Sequence, residues 1–214
     1  MNPLRVKICG VTTPADARLA AEAGADAVGL NFYPRSPRYV DPRRAPELLR
    51  VLPPLVQPVG VFVGQPLRQV CAVAYQLGLR AVQWVGDRTE VADPAPFALI
   101  PAFRVGGPDD LAAVTAYLEA CRQGGFPVGA VLVDARVEGA YGGTGRVAPW
   151  ELLAEFRPGV PLILAGGLTP ENVAEAVRAV RPAAVDVASG VESAPGVKDP
   201  DKVRRFIEAA RAAV

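Results

Sequence analysis

The sequence contains no histidine. That excludes a Ser–His–Asp triad, an imidazole general base and any His-ligated metal. Lysine is nearly missing too: of 23 basic residues, only Lys7, Lys198 and Lys202 are lysines. Basic and acidic residues balance at 23 against 22, and a net charge of +1 excludes a globally basic nucleic-acid binder. Cysteine is sparse. Cys9, Cys71 and Cys121 stand 62 and 50 residues apart, so no CxxC pair offers zinc or redox chemistry. An odd, scattered set of this kind fits reduced thiols, and the cytoplasm is the expected compartment. No apolar run approaches the roughly 18 residues of a membrane-spanning helix, so no membrane partner is expected. The start, Met1-Asn-Pro-Leu-Arg-Val-Lys7, lacks the apolar stretch of a secretory signal.

What is present suits one large core. Half of the 214 residues are hydrophobic, and mean hydropathy is +0.21. Short β-branched runs alternate with Ala-rich helical stretches. Strands are expected at Arg5–Cys9, Ala27–Phe32, Val56–Val63, Ala81–Trp84, Ala98–Phe103, Ala130–Asp134, Leu162–Ala165 and Val185–Ala188. Helices are expected to begin near Thr13, Pro42, Pro66, Asp87, Pro108, Ala148, Pro170 and Asp199. Several carry proline in the first turn, where its missing N–H costs little. The period of about 27 residues per unit fits a closed parallel (β/α)8 TIM barrel, a single catalytic domain over residues 1–214. A doubly wound open sheet is the competing arrangement, but only one glycine follows the first strand, so it lacks a dinucleotide fingerprint.

Barrel ligands bind at the carboxyl ends of the strands. Side chains alternate along a strand, so Lys7 and Cys9 share a face. With Val6 and Ile8 turned to the helices, Cys9 points into the mouth of the barrel. A small buried hydrophobe is the plain alternative for such a cysteine. Lys7 lies one layer deeper and needs a partner; Asp186 on the neighbouring eighth strand is the candidate. Asp134 closes an apolar strand, where a carboxylate costs solvation unless something uses it or bonds to it. The glycine-rich loop Gly139-Ala-Tyr-Gly-Gly-Thr-Gly145 follows it. Gly166 and Gly167 end the seventh strand, and Ser189 and Gly190 follow the eighth. Glycines there let backbone N–H groups approach an anion, and barrel phosphate sites often lie after these two strands. Arg35 and Arg38 stand in a proline-stiffened loop after the second strand. They are either an anion clamp or solvated charges. Cys71 and Cys121, within helices beside apolar residues, are expected in the core.

These blocks resemble the phosphoribosylanthranilate isomerase family. The likeness rests on Lys7-Ile-Cys-Gly10, Asn31-Phe-Tyr-Pro-Arg-Ser-Pro-Arg-Tyr39 and Val133-Asp134 with Tyr141-Gly-Gly-Thr-Gly145. Gly166-Gly-Leu-Thr-Pro-Glu-Asn172 and Val185-Asp-Val-Ala-Ser-Gly-Val-Glu192 complete it, in the family's order from end to end. The resemblance implies a (β/α)8 barrel that performs an Amadori rearrangement of a phosphosugar in tryptophan biosynthesis, with no metal or organic cofactor. It implies Cys9 as general base and Asp134 as general acid. Arg38 would hold the anthranilate carboxylate, and Gly166, Gly167, Ser189 and Gly190 the phosphate. A homodimer is compatible with it. The sequence departs from the family at Trp84-Val85, where Leu-His is common, and at Ala188, where serine is common. Other readings of the same residues are a Schiff-base aldolase using Lys7 and a non-catalytic phosphate-ligand sensor. A metal-dependent sugar-phosphate epimerase would want the histidines this chain lacks.

Overall fold

The computed structural model describes residues 3–86, 93–126, 128–135 and 150–214. Eight parallel strands close into one barrel in sequence order, each hydrogen-bonded to the next and the last to the first. They are β1 (Arg5–Cys9), β2 (Ala27–Asn31), β3 (Gln57–Val63), β4 (Ala81–Val85), β5 (Ala98–Arg104), β6 (Val131–Asp134), β7 (Leu162–Ala165) and β8 (Ala184–Val187). Each lies within a residue of the span its sequence predicts. Seven α-helices are described: α1 (Pro14–Glu22), α2 (Ala45–Leu49), α3 (Leu67–Gln76), α4 (Pro108–Gln123), α5 (Trp150–Ala154), α6 (Val173–Val180) and α7 (Pro200–Arg211).

Local chemistry explains the helix boundaries. Thr13 keeps extended backbone (φ −129°) and its hydroxyl accepts from Asp16 N–H, with proline at the next position. Gly24, at φ +96°, turns the chain out of α1. Asp199 caps α7 by accepting from the N–H groups of Asp201 and Lys202, each at 3.0 Å. Two helices begin three residues later than expected. After Pro42, hydrogen-bonded turns precede α2. After Pro170, the Asn172 side chain accepts from Thr169 N–H at 2.8 Å and donates to the Gly167 carbonyl, holding a turn before α6. The helix expected from Asp87 and the start of the one expected at Ala148 lie outside the described residues.

Period-two alternation sorts the strands into two packed layers. Val6, Ile8, Val28, Leu30, Phe62, Leu99, Val131, Val133, Leu164 and Val185 face the helices and form the larger core. Val59, Ala81, Ile100, Ala130, Leu132, Ile163 and Ala165 fill the barrel. Small inward residues suit a narrow closed barrel. One feature lies beyond the sequence expectations. After β8 the chain makes a 3-10 turn (Ser189–Val191) and a small hairpin of β9 (Glu192–Ala194) and β10 (Val197–Lys198). Its turn is wedged against the mouth: Thr12 Oγ1 donates to the Gly196 carbonyl at 2.7 Å, and a methyl at Gly196 would sit 2.8 Å from the Pro37 carbonyl oxygen.

Candidate active site

Among the described residues, the fully buried polar side chains gather under the carboxyl-terminal mouth of the barrel. There Lys7, on β1, is buried and donates to Asp186 Oδ1 on β8 at 2.7 Å and to Gln83 Oε1 on β4 at 2.9 Å. The Lys7–Asp186 pair is the one expected from adjacent strands, and the two are direct register partners. Gln83 was missed as a third member. Cys9 ends β1 one layer above Lys7, is 8% exposed and faces the same way. Gly29 on β2, the register partner of Cys9, makes room for both. A methyl there would lie 2.8 Å from the Cys9 sulfur and 3.1 Å from Lys7 Nζ.

The electrostatics of this cluster are opposed. Burial pushes the Cys9 thiol above its usual range, the Asp186 carboxylate adds to that, and the Lys7 and Lys198 cations pull it back only in part. Burial would discharge Lys7, but Asp186 and, after it, Cys9 together more than compensate and the ammonium is held charged. A buried, protonated Lys7 is poorly placed to be the nucleophile of a Schiff-base aldolase.

Arg38 reaches the mouth through a self-bonded loop. The Asn31 side chain accepts from Tyr33 N–H at 2.9 Å and donates to Ser36 Oγ, which in turn accepts from Arg38 N–H at 3.1 Å. The stem of Arg38 then crosses Gly10, whose left-handed φ of +72° and lack of a side chain let it pass. Its guanidinium makes a two-pronged bond to Glu192, Nε to Oε1 at 2.8 Å and Nη2 to Oε2 at 2.6 Å. Lys198 Nζ donates to the same carboxylate at 2.9 Å, and Lys202 Nζ to the Glu192 carbonyl at 2.9 Å. Burial alone would raise Glu192, but the bonds from Arg38 and Lys198 outweigh it and hold the carboxyl below its usual range. Two cations thus share one carboxylate while a third bonds the same residue's carbonyl, and a positive excess is left beside Cys9. Arg35, by contrast, is exposed and lies over the Tyr33 ring. Glu192 and Lys198 were missed as site residues. The available signal was the lysine count, because all three lysines of the chain fall in these two clusters.

Asp134 closes β6, half-buried, on the same face as Leu132 inside the barrel. It stands beside Arg104 of β5 and Ala165 of β7 in register. From β1 it lies three strands away round the barrel, on the other side of the mouth. The glycine-rich segment Gly139–Gly145 lies outside the described residues.

The four positions expected to meet phosphate belong to two loops in contact. Gly166 and Gly167 have φ of +95° and +64°, which only glycine adopts readily. Space for a side chain at Gly167 is open, so its requirement is conformational. Gly190 is different: a methyl there would run into the Leu168 carbonyl of the preceding loop. The two backbones touch because Gly190 has no side chain. Gly190→Ala is therefore expected to destabilise the barrel by about 1–3 kcal/mol, the usual cost of overpacking, measured as a fall in the urea midpoint. An unchanged midpoint would show that the loops separate freely.

At the family departure in β4, Trp84 turns outward, buried, and its indole N–H donates to the Gln65 carbonyl at 2.9 Å. Val85 takes the inward direction at the mouth and is 39% exposed. An apolar side chain thus faces the site where the family commonly has histidine.

A closed parallel barrel whose described buried charged groups gather at the carboxyl ends of its strands has the architecture of the (β/α)8-barrel enzymes, whose ligands bind there. Comparison with known proteins narrows the class. The family model for N-(5'phosphoribosyl)anthranilate (PRA) isomerase matches residues 6–209. The N-(5'-phosphoribosyl)anthranilate isomerase of Myxococcus xanthus is 48% identical over 97% of this chain and 96% of its own. The crystal structure of phosphoribosyl anthranilate isomerase from Thermotoga maritima superposes with a TM-score of 0.83, at 40% identity, covering 98% of this chain and 99% of its own. A phosphoribosyl anthranilate isomerase in complex with reduced 1-(o-carboxyphenylamino)-1-deoxyribulose 5-phosphate gives a TM-score of 0.81 at 38% identity, with the same coverage. The chain belongs to the N-(5'-phosphoribosyl)anthranilate isomerase family.

Proposed function

We propose that this barrel converts N-(5'-phosphoribosyl)anthranilate into 1-(o-carboxyphenylamino)-1-deoxyribulose 5-phosphate. This is an aldose–ketose isomerisation, formally an intramolecular oxidoreduction, and the third step of tryptophan biosynthesis from chorismate. The observation that carries the proposal is the placing of Cys9 and Asp134 on inward faces, three strands apart round one mouth. Asp134 gives a proton to the furanose ring oxygen, the C1–O bond breaks, and the nitrogen lone pair forms a C1 iminium. Cys9, as thiolate, takes the C2 proton, and the C2–H electrons become the C1=C2 bond of an enaminol. Protonation at C1 with loss of the enol proton gives the ketone. A positioned acid and base of this kind need no cofactor and no metal. The raised thiol range of Cys9 leaves less thiolate at neutral pH, but that thiolate is the stronger base.

The substrate's two anions have separate places. Backbone N–H groups of Gly166, Gly167, Ser189 and Gly190 would receive the phosphate. Arg38 would receive the anthranilate carboxylate through its remaining amino group, while Glu192 holds the other edge of the fork. Arg38→Lys keeps the charge but loses the fork. Loss of a charge-assisted hydrogen bond of about 1.5–3 kcal/mol should raise KM roughly 10- to 100-fold. Inhibition by a reduced product analogue should weaken in step. Equal inhibition of both proteins would make Arg38 a structural partner of Glu192 only.

Genetic complementation tests the activity in the cytoplasm, where the enzyme is proposed to work. Expression in an auxotroph lacking only this isomerisation should restore growth without tryptophan. Folded protein that fails to restore growth would refute the proposal.

A further inference from the structure

Among the described residues, one fully buried polar island lies inside the barrel. Where Val59, Ala81, Ile100, Leu132, Ile163 and Ala165 fill the rest, Lys7, Gln83 and Asp186 occupy the layer beneath Cys9. Desolvating such a pair is expensive, and apolar residues of similar volume would commonly be as stable or more so. Filling space therefore does not explain it. We propose that Lys7 is a positioning residue for Cys9: its buried ammonium, fixed by Asp186 and Gln83, sets how readily the thiol releases its proton to the mouth. The inference rests on Cys9 being the base of the proposed reaction.

The geometry gives Lys7 two rivals for its charge. Its ammonium is 2.7 Å from the Asp186 carboxylate. It also shares with the Cys9 sulfur the space left open by Gly29. Asp186 keeps the ammonium charged, and at the same time it satisfies that charge and faces Cys9 with a negative one. Lys7 and Asp186 thus act on the thiol with opposite sign. Among the described residues, the other cations that act on Cys9 are Arg38 and Lys198, both shared with Glu192. Neither belongs to the layer of Lys7, Gln83 and Asp186, although Lys198 is itself buried, so both are common to the variants below.

Asp186→Asn keeps an oxygen that can accept from Lys7 but removes the carboxylate charge. The ammonium is then left with the thiolate as its counter-ion. The pH midpoint for alkylation of Cys9 by iodoacetamide, followed on the peptide that carries Cys9 by mass spectrometry, should fall by about one unit or more. Adding Lys7→Met to that variant removes the cation without leaving a buried charge unpaired. The midpoint should climb back by a similar amount. A purely structural role would lower the melting temperature of both variants and leave the midpoints at the wild-type value, which would overturn the proposal. A double variant that titrates like Asp186→Asn alone would also overturn it. Should the double variant fail to fold, an unchanged or raised midpoint in Asp186→Asn alone is sufficient to do so. Alkylation is read without turnover, so the underlying role of Cys9 is tested apart. If the midpoints move as expected but the pH limb of kcat/KM does not follow them, Cys9 is not the base.

Discussion

Cys9→Ser is expected to lower kcat by about 10²–10⁴-fold, the usual contribution of a positioned general base, with KM changed little. Serine fits the space between Lys7 and Gly29, and its hydroxyl does not ionise in the working range. The barrel should keep its circular dichroism spectrum, because the strand's backbone pairing to Gly29 is untouched. The pH profile carries the sharper signature. Burial and Asp186 hold the thiol above its usual range, so kcat/KM of the wild type should still be climbing at the ordinary thiol midpoint near 8.5. A base acts only when deprotonated, so activity rises with pH on this limb and falls away below it. Cys9→Ser should abolish the limb. Near-full activity in this variant would return Cys9 to the role of a small buried hydrophobe.

Asp134→Asn should cost a comparable factor of about 10²–10⁴, for a different reason. The amide has the carboxyl's shape but no proton to give to the ring oxygen. Asp134 also serves the fold, since its carbonyl accepts from Val105 N–H at 3.0 Å. That is a backbone bond and survives the substitution. The variant is expected to stay folded by circular dichroism while its rate per folded molecule collapses. The reverse pattern, a lower melting temperature with the rate preserved, would make Asp134 a loop cap.

The residues that carry these two expectations were legible because they lie within single strands. Alternation along Arg5–Cys9 and Val131–Asp134 decides which side chains enter the barrel, and a closed sheet puts β1 beside β8. That was enough to pair Lys7 with Asp186 across 179 positions. Contacts made outside the ladder were not legible. Arg38 and Glu192 are 154 positions apart and meet only because an irregular hairpin follows β8. Gln83 joins Lys7 across the barrel interior from β4, which no neighbour rule predicts. The glycines divide in the same way. Gly166 and Gly167 announce a turn, whereas the need for glycine at Gly29 and Gly190 comes from side chain and backbone packed against them in space. Helix starts marked by proline were displaced at Pro42 and Pro170, where proline opens a turn rather than the helix itself.

The most direct test of the proposed activity is the fluorescence of freshly prepared N-(5'-phosphoribosyl)anthranilate mixed with the purified chain in excess chelator. The signal should decay far faster than in buffer, in proportion to enzyme, with Cys9→Ser and Asp134→Asn close to the buffer rate. Decay at the buffer rate with folded wild-type protein would contradict the activity itself. Decay that needs an added metal ion would contradict catalysis by these two side chains alone.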